Sequence, residues 1–174
     1  MNKNQAFDSL LAVNSNDRKI HLHDLKTKQR LNKTTFQMDP NLQAIAISPN
    51  GKWLATSFGG GSAIAKVFDV ANGKLKYDLG NARDKLSGDT MCFAFSPDGK
   101  YLAAGELENL VVYEVKTGEV VKKFSRKSRF AEQIFWSKDS RSMTCVSSCY
   151  VQNHADGREE MIYPHVSKWQ LEKK

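Results

Sequence analysis

One phrase is written twice in this chain: ISPNGKWLATS at residues 47–57 and FSPDGKYLAAG at residues 95–105, 48 positions later. Asn50-Gly51 and Asp98-Gly99 are hairpin dipeptides, because the tight turn needs positive φ where glycine meets no Cβ clash. Apolar residues alternate ahead of each turn: Leu42, Ala44 and Ala46 in one copy, Met91, Phe93 and Phe95 in the other. An aromatic residue and a run of small ones follow, WLATS and YLAAG. Period-2 alternation on both sides of a tight turn predicts strand, turn, strand. A third copy at residues 137–141, SKDSR, keeps the turn without its proline or glycine.

A second phrase recurs in step with the first. It begins IHLHDL at Ile20, AKVFDV at Ala65 and LVVYEV at Leu110, and VSKWQL at Val166 is a fourth instance. Its acidic residues, Asp24, Asp69 and Glu114, are spaced 45 and 45 apart. Each of the two central instances reads as a β-rich run, a turn at Asn72-Gly73 or Thr117-Gly118, and another β-rich run. No useful 3.6-residue periodicity intervenes. Four short strands in about 45 residues is the repeat length of a propeller blade.

On these residues the chain resembles the WD-repeat β-propeller family. The resemblance rests on SPNGKWLA and SPDGKYLA, and on Phe68-Asp69 and Tyr113-Glu114 where that family has Trp-Asp. His23-Asp24 and Trp169-Gln170 match less well. It implies an all-β fold, a partial β-propeller with blades of up to four antiparallel strands and about 14 strands in all. The repeats fall at about 9–36, 42–80, 90–125 and 131–173 within a single domain spanning residues 1–174. The chain also departs from the family. The Gly-His ahead of each blade is absent, and no blade has both Trp and Asp. Asp17 falls at the acidic turn position of the first blade, but Ser62 and Leu107 fall near it in the next two. The family's His–Ser/Thr–Asp–Trp hydrogen-bonded cluster is therefore incomplete, and apolar packing must hold the blades instead.

The ring is expected to stay open. The first repeat offers strands near residues 10–15, 19–25 and 29–36, and the last near 131–137, 142–150 and 162–171, so each end blade is one strand short. Complete propellers have roughly 4–8 blades. The chain is then a segment completed by another polypeptide, or half of a ring of about eight blades closed by two copies, or a truncated product that folds poorly. Open blade faces and edges attract partners. Self-association or a second propeller segment is the expected outcome. The last repeat also carries an insertion, residues 151–163, whose polar composition and Asp156-Gly157 turn predict a protruding hairpin tip.

The chemistry-bearing residues suggest binding rather than catalysis. The chain of 174 residues has net charge +7, three cysteines, no apolar run long enough for a membrane helix and no signal-peptide core. These features predict an intracellular protein, cytoplasmic or nuclear, with no membrane partner. His21 and His23 alternate on one strand, a spacing able to hold a metal, but His23 aligns with Phe68 and Tyr113 and reads as a blade residue. Cys145 and Cys149 lie on one strand face roughly 13 Å apart, too far for a disulfide. Residues 59–62, GGGS, lack the Lys-Ser/Thr of a phosphate loop. Glu159 and Glu160 point to opposite strand faces. There is no catalytic constellation, and no cofactor, metal or small-molecule substrate is expected. The basic run KKFSRKSRF at residues 122–130 and the connector NARDKLSGD at 81–89 share one rim. Candidate partner-binding residues are Arg83, Lys85, Arg126, Lys127 and Arg129 on that rim, with His154, Asp156, Arg158 and Glu159 in the insertion. The resemblance implies a non-catalytic scaffold or adaptor that binds protein. The alternative is a nucleic-acid-associated subunit of an RNA-processing particle that uses the basic rim.

Overall fold

Each repeat folds as one antiparallel sheet in a computed structural model, which describes residues 5–7, 10–14, 19–31, 36–37, 42–58, 64–79, 90, 92–106, 109–125, 130–152 and 159–171. The first blade holds β1 (Gln5–Phe7), β2 (Leu10–Asn14), β3 (Lys19–Asp24), β4 (Gln29–Arg30) and β5 (Phe36–Gln37). The second holds β6 (Leu42–Ile47), β7 (Trp53–Phe58), β8 (Ile64–Asp69) and β9 (Leu75–Asp78). The third holds β10 (Cys92–Phe95), β11 (Tyr101–Gly105), β12 (Asn109–Glu114) and β13 (Val120–Ser125). The fourth holds β14 (Phe130–Trp136), β15 (Ser142–Gln152) and β16 (Glu159–Gln170). The described residues contain strands and turns and no helix.

The expected fold class holds, an all-β partial propeller, with one change at its start. The first blade is not short of a strand. β1 pairs with β2 as its innermost strand, and the run expected at 29–36 forms as two short pieces, β4 and β5, along one edge of β3. Three residues, QAF, are too few to show alternation, so this strand was invisible to pattern reading. In the fourth blade the insertion lengthens the hairpin. Pairing of β15 with β16 runs on to Gln152↔Glu159, past the last β14 pair at Phe130↔Ser148. Between Ser147 and Cys149 the register shifts opposite Tyr163 and Pro164, where a residue lacking an N–H is tolerated.

The blades stack through three apolar cores. Alternate residues of each inner strand enter different cores, because successive side chains on a strand point to opposite faces. In β10, Phe93 and Phe95 face the second blade, while Cys92 and Ala94 face the fourth. In β6, Ile45 and Ile47 face the first blade, while Ala44 and Ala46 face the third. A bulge between Leu42 and Ala44 turns Leu42 to the first-blade side, so the three residues that alternate in sequence do not share a face. Burial is complete along β10 and falls away along β13, which runs at the rim. Gly105 in β11 marks the tightest approach: a Cβ there would lie 2.4 Å from Ala131 Cβ and 2.7 Å from Cys92 Sγ.

Candidate interaction surfaces

The tight turns share one construction. In the second blade Ser48 Oγ donates to Asn50 Oδ1 at 2.8 Å and accepts from Trp53 N–H at 2.9 Å, while Lys52 N–H donates to Asn50 Oδ1 at 3.0 Å. Ser96, Asp98, Lys100 and Tyr101 repeat these bonds, and so do Ser137, Asp139, Arg141 and Ser142. The third copy is therefore intact where its sequence looked worn. Its Ser140 takes positive φ, 58°, where the other copies have Gly51 and Gly99. Ser140 stays there with a use for its side chain: Oγ accepts the Asp98 N–H at 3.1 Å, tying the fourth blade to the third.

These hydrogen bonds set the acidity of the turn carboxylates. Burial works to raise Asp98, but donation from Ser96, the Lys100 N–H, the Lys100 charge and Ser140 outweighs it and holds the carboxyl below its usual range. Donation from Ser137 first and the Arg141 N–H next lowers Asp139. The N–H groups of Thr27 and Lys26 lower Asp24, which accepts them at 3.0 and 2.7 Å. The carboxylates are thus absorbed into turn structure, and the lysines beside them, such as Lys26 and Lys100, stand exposed.

An aromatic contact recurs between blades. Phe36, opposite Ile20, meets Phe68 of the next blade edge-on at 5.7 Å, and Phe124, opposite Leu110, meets Trp169 at 5.7 Å. Leu79 and Tyr113 occupy the same positions in the core between them. The residues at the Trp position of the repeat therefore serve as inter-blade knobs. Further ties join neighbours: Ser57 Oγ donates to the Thr90 carbonyl at 2.7 Å, Trp136 Nε1 to the Ala94 carbonyl at 2.9 Å, and the Tyr77 hydroxyl to the Lys116 carbonyl.

Glu106 is a residue that sequence reading missed. It is 0% exposed at the end of β11, one position before Leu107, where an acidic turn residue was sought. Burial, and then the Glu106 charge, push the Tyr113 hydroxyl far above its usual range. The signal in the sequence was an acid directly closing the small-residue run YLAAG.

Among the described residues nothing covers the outward face of the fourth blade. Phe135, Thr144 and Lys168 form one cross-strand row, and Gln133, Val146 and Val166 the next. Phe135 is 53% and Val166 61% exposed, the largest values among the exposed large hydrophobic residues.

The comparisons agree with this geometry. The family model described as "WD domain, G-beta repeat" matches residues 82–112, which include β10 and β11. The chain carries a WD repeat. The four antiparallel sheets form a partial β-propeller. Hydrazine synthase of Kuenenia stuttgartiensis is similar in fold, with a TM-score of 0.66 and 17% identity over 91% of this chain and 46% of that one. The WD-repeat chain therefore spans about half the length of that solved chain. At this identity the likeness is one of fold alone.

Of the residues nominated from sequence, Arg83, Lys85, Arg126, Lys127, Arg129, His154, Asp156 and Arg158 lie outside the described residues. Glu159 opens β16, opposite Gln152. The strand ends that bound these segments, Ser125, Phe130, Gln152, Glu159 and Cys92 among them, all lie at the blade end opposite the tight turns. The 59–62 loop also lies outside the described residues, and the acidic pair Glu159-Glu160 begins a strand. His23 pairs in register with Leu11 and Arg30, and Asp24 is taken up by its own turn. Among the described residues no three His, Cys, Asp or Glu side chains gather as metal ligands. Cys92 and Cys145 are buried free thiols in the core between the third and fourth blades. Phe124, within the basic run, packs on that core. No helix of the described residues is long and apolar enough to cross a membrane.

Proposed function

We propose that this WD-repeat chain is a non-catalytic scaffold or adaptor that holds a protein partner on the connector end of its blades. WD repeats generally serve protein interaction, and the observation that carries the reading is how this arc is held together. Its side-chain ties and cores join blade to blade, so the strand ends that bound the connectors are fixed relative to one another. A rigid frame with variable connecting segments is the usual physical basis of such display. Glu106 is fully buried, and Tyr113 lies in the core between the second and third blades.

The test replaces Arg83, Lys85, Arg126, Lys127 and Arg129 together by alanine, and in a second variant His154, Asp156, Arg158 and Glu159. The scaffold reading expects a stoichiometric protein partner, recovered by affinity purification, to be lost from at least one variant whose melting temperature is unchanged. Binding of a labelled single-stranded RNA that weakens steeply with salt, and is lost from the first variant, would overturn it in favour of the nucleic-acid reading.

A further inference from the structure

We infer that the open face of the fourth blade is a homodimer surface, covered by the same face of a second copy. This goes beyond the scaffold reading and does not depend on it, since the partner is the chain itself.

The face is built differently from its internal counterparts. Counting from the turn serine, Phe135 stands where the second and third blades have Ala46 and Ala94, and Thr144 where they have Ala55 and Ala103. Those alanines are buried in the next core, where the following blade brings in Phe93 and Phe95, or Ile134 and Trp136. Lys168 likewise replaces Val67 and Val112, both core residues. The room that a following blade of this kind needs is filled by an aromatic ring, and a cation is set beside it. A further blade bringing in side chains of that size is disfavoured by volume and by the cost of burying an unpaired charge.

The other end of the arc does not complement it. On the first blade, Leu11 and Val13 share their face with His21, only 6% exposed, and with His23. Lys19 lies on the same side of β3, and Arg30 pairs with His23. Closing two copies head-to-tail would set Lys168 against this basic face. That disfavours the two-copy ring expected from the repeat count.

The fourth blade's face does complement itself. Its apolar centre is Phe135, Val146 and Val166. Among the described residues of its outward rows the exposed base is Lys168 on β16, and the exposed acid Glu132 stands in the bulge of β14. They sit on the two outer strands and in different rows, at opposite corners of the patch. A two-fold axis across the other diagonal joins each Lys168 to the partner's Glu132 and stacks apolar centre on apolar centre. Such an interface is isologous and stops at two copies.

Mass by light scattering, with circular dichroism to check folding, tests this on the full chain. The expected mass is twice 19.6 kDa. Val166→Glu should give a folded monomer. Lys168→Glu and Glu132→Lys should each weaken dimerisation about tenfold, since each places like charges together twice. Mixing these two variants should restore the dimer, because each unlike chain then meets its opposite charge at both corners. A monomeric wild type would overturn the inference. So would species larger than two, a dimer indifferent to Val166→Glu, or a mixture no tighter than its components.

Discussion

Asp98 shows how far single residues can be read and what their chemistry predicts. The Asx-Gly turn was legible because its φ requirement leaves few residue choices, and the structure has φ of 68° at Gly51 and 71° at Gly99. Asn50 makes the bonds in the second blade that Asp98 makes in the third, so Asp98→Asn should keep the turn. It should also remove a pH dependence. The folded-state pKa of Asp98 is depressed below 3.8, so its contribution is present above that value and lost as pH falls through the folded pKa. Urea midpoints measured across acid pH should therefore fall less steeply below pH 3.8 in Asp98→Asn than in the wild type. Gly105 gives a steric prediction. Its Cβ would overlap Ala131 and Cys92, so Gly105→Ala should cost about 1–3 kcal/mol in urea unfolding. The sequence showed a small-residue strand here but not which neighbour makes it small, because that neighbour is 26 residues away on another blade. Glu106 escaped notice for a related reason: its burial is tertiary, and an acid at the end of a small-residue run does not by itself show that it is buried.

At the scale of elements, period and turn chemistry located the strands of the two central blades, where four strands follow one another without interruption. They were weaker at the ends. β1 has three residues and β4 two, below the length at which alternation means anything. The hairpin of β15 and β16 was expected as a protruding tip; its stem continues the ladder past β14, and the tip itself lies outside the described residues. The inter-blade role of the Trp-position aromatics was not legible, since it depends on which strand of the preceding blade lies opposite. Trp136 offers a direct check of blade-to-blade coupling. Its indole N–H donates to the Ala94 carbonyl, and its ring stacks on Tyr101 at 6.2 Å. Trp136→Phe keeps an aromatic ring and removes the indole donor to that carbonyl. Thermal unfolding should show a loss of about 1–2 kcal/mol.

At the scale of the whole molecule, the described residues form a stack whose two middle blades are covered on both faces and whose end blades are covered by them on one. The repeat period made that architecture readable, because a blade that buries one face on each neighbour must recur along the chain. What the period could not show is the character of the end faces, since that lies in departures from the repeat such as Phe135 and Lys168. Local stability should follow coverage. Amide hydrogen exchange, resolved by peptide, tests this most directly. The account predicts slowest exchange in β7 and β11, the second strands of the doubly covered blades, and much faster exchange in β16, which pairs along one edge only. Equal protection across all four sheets, or protection of β16 matching that of β11, would contradict it.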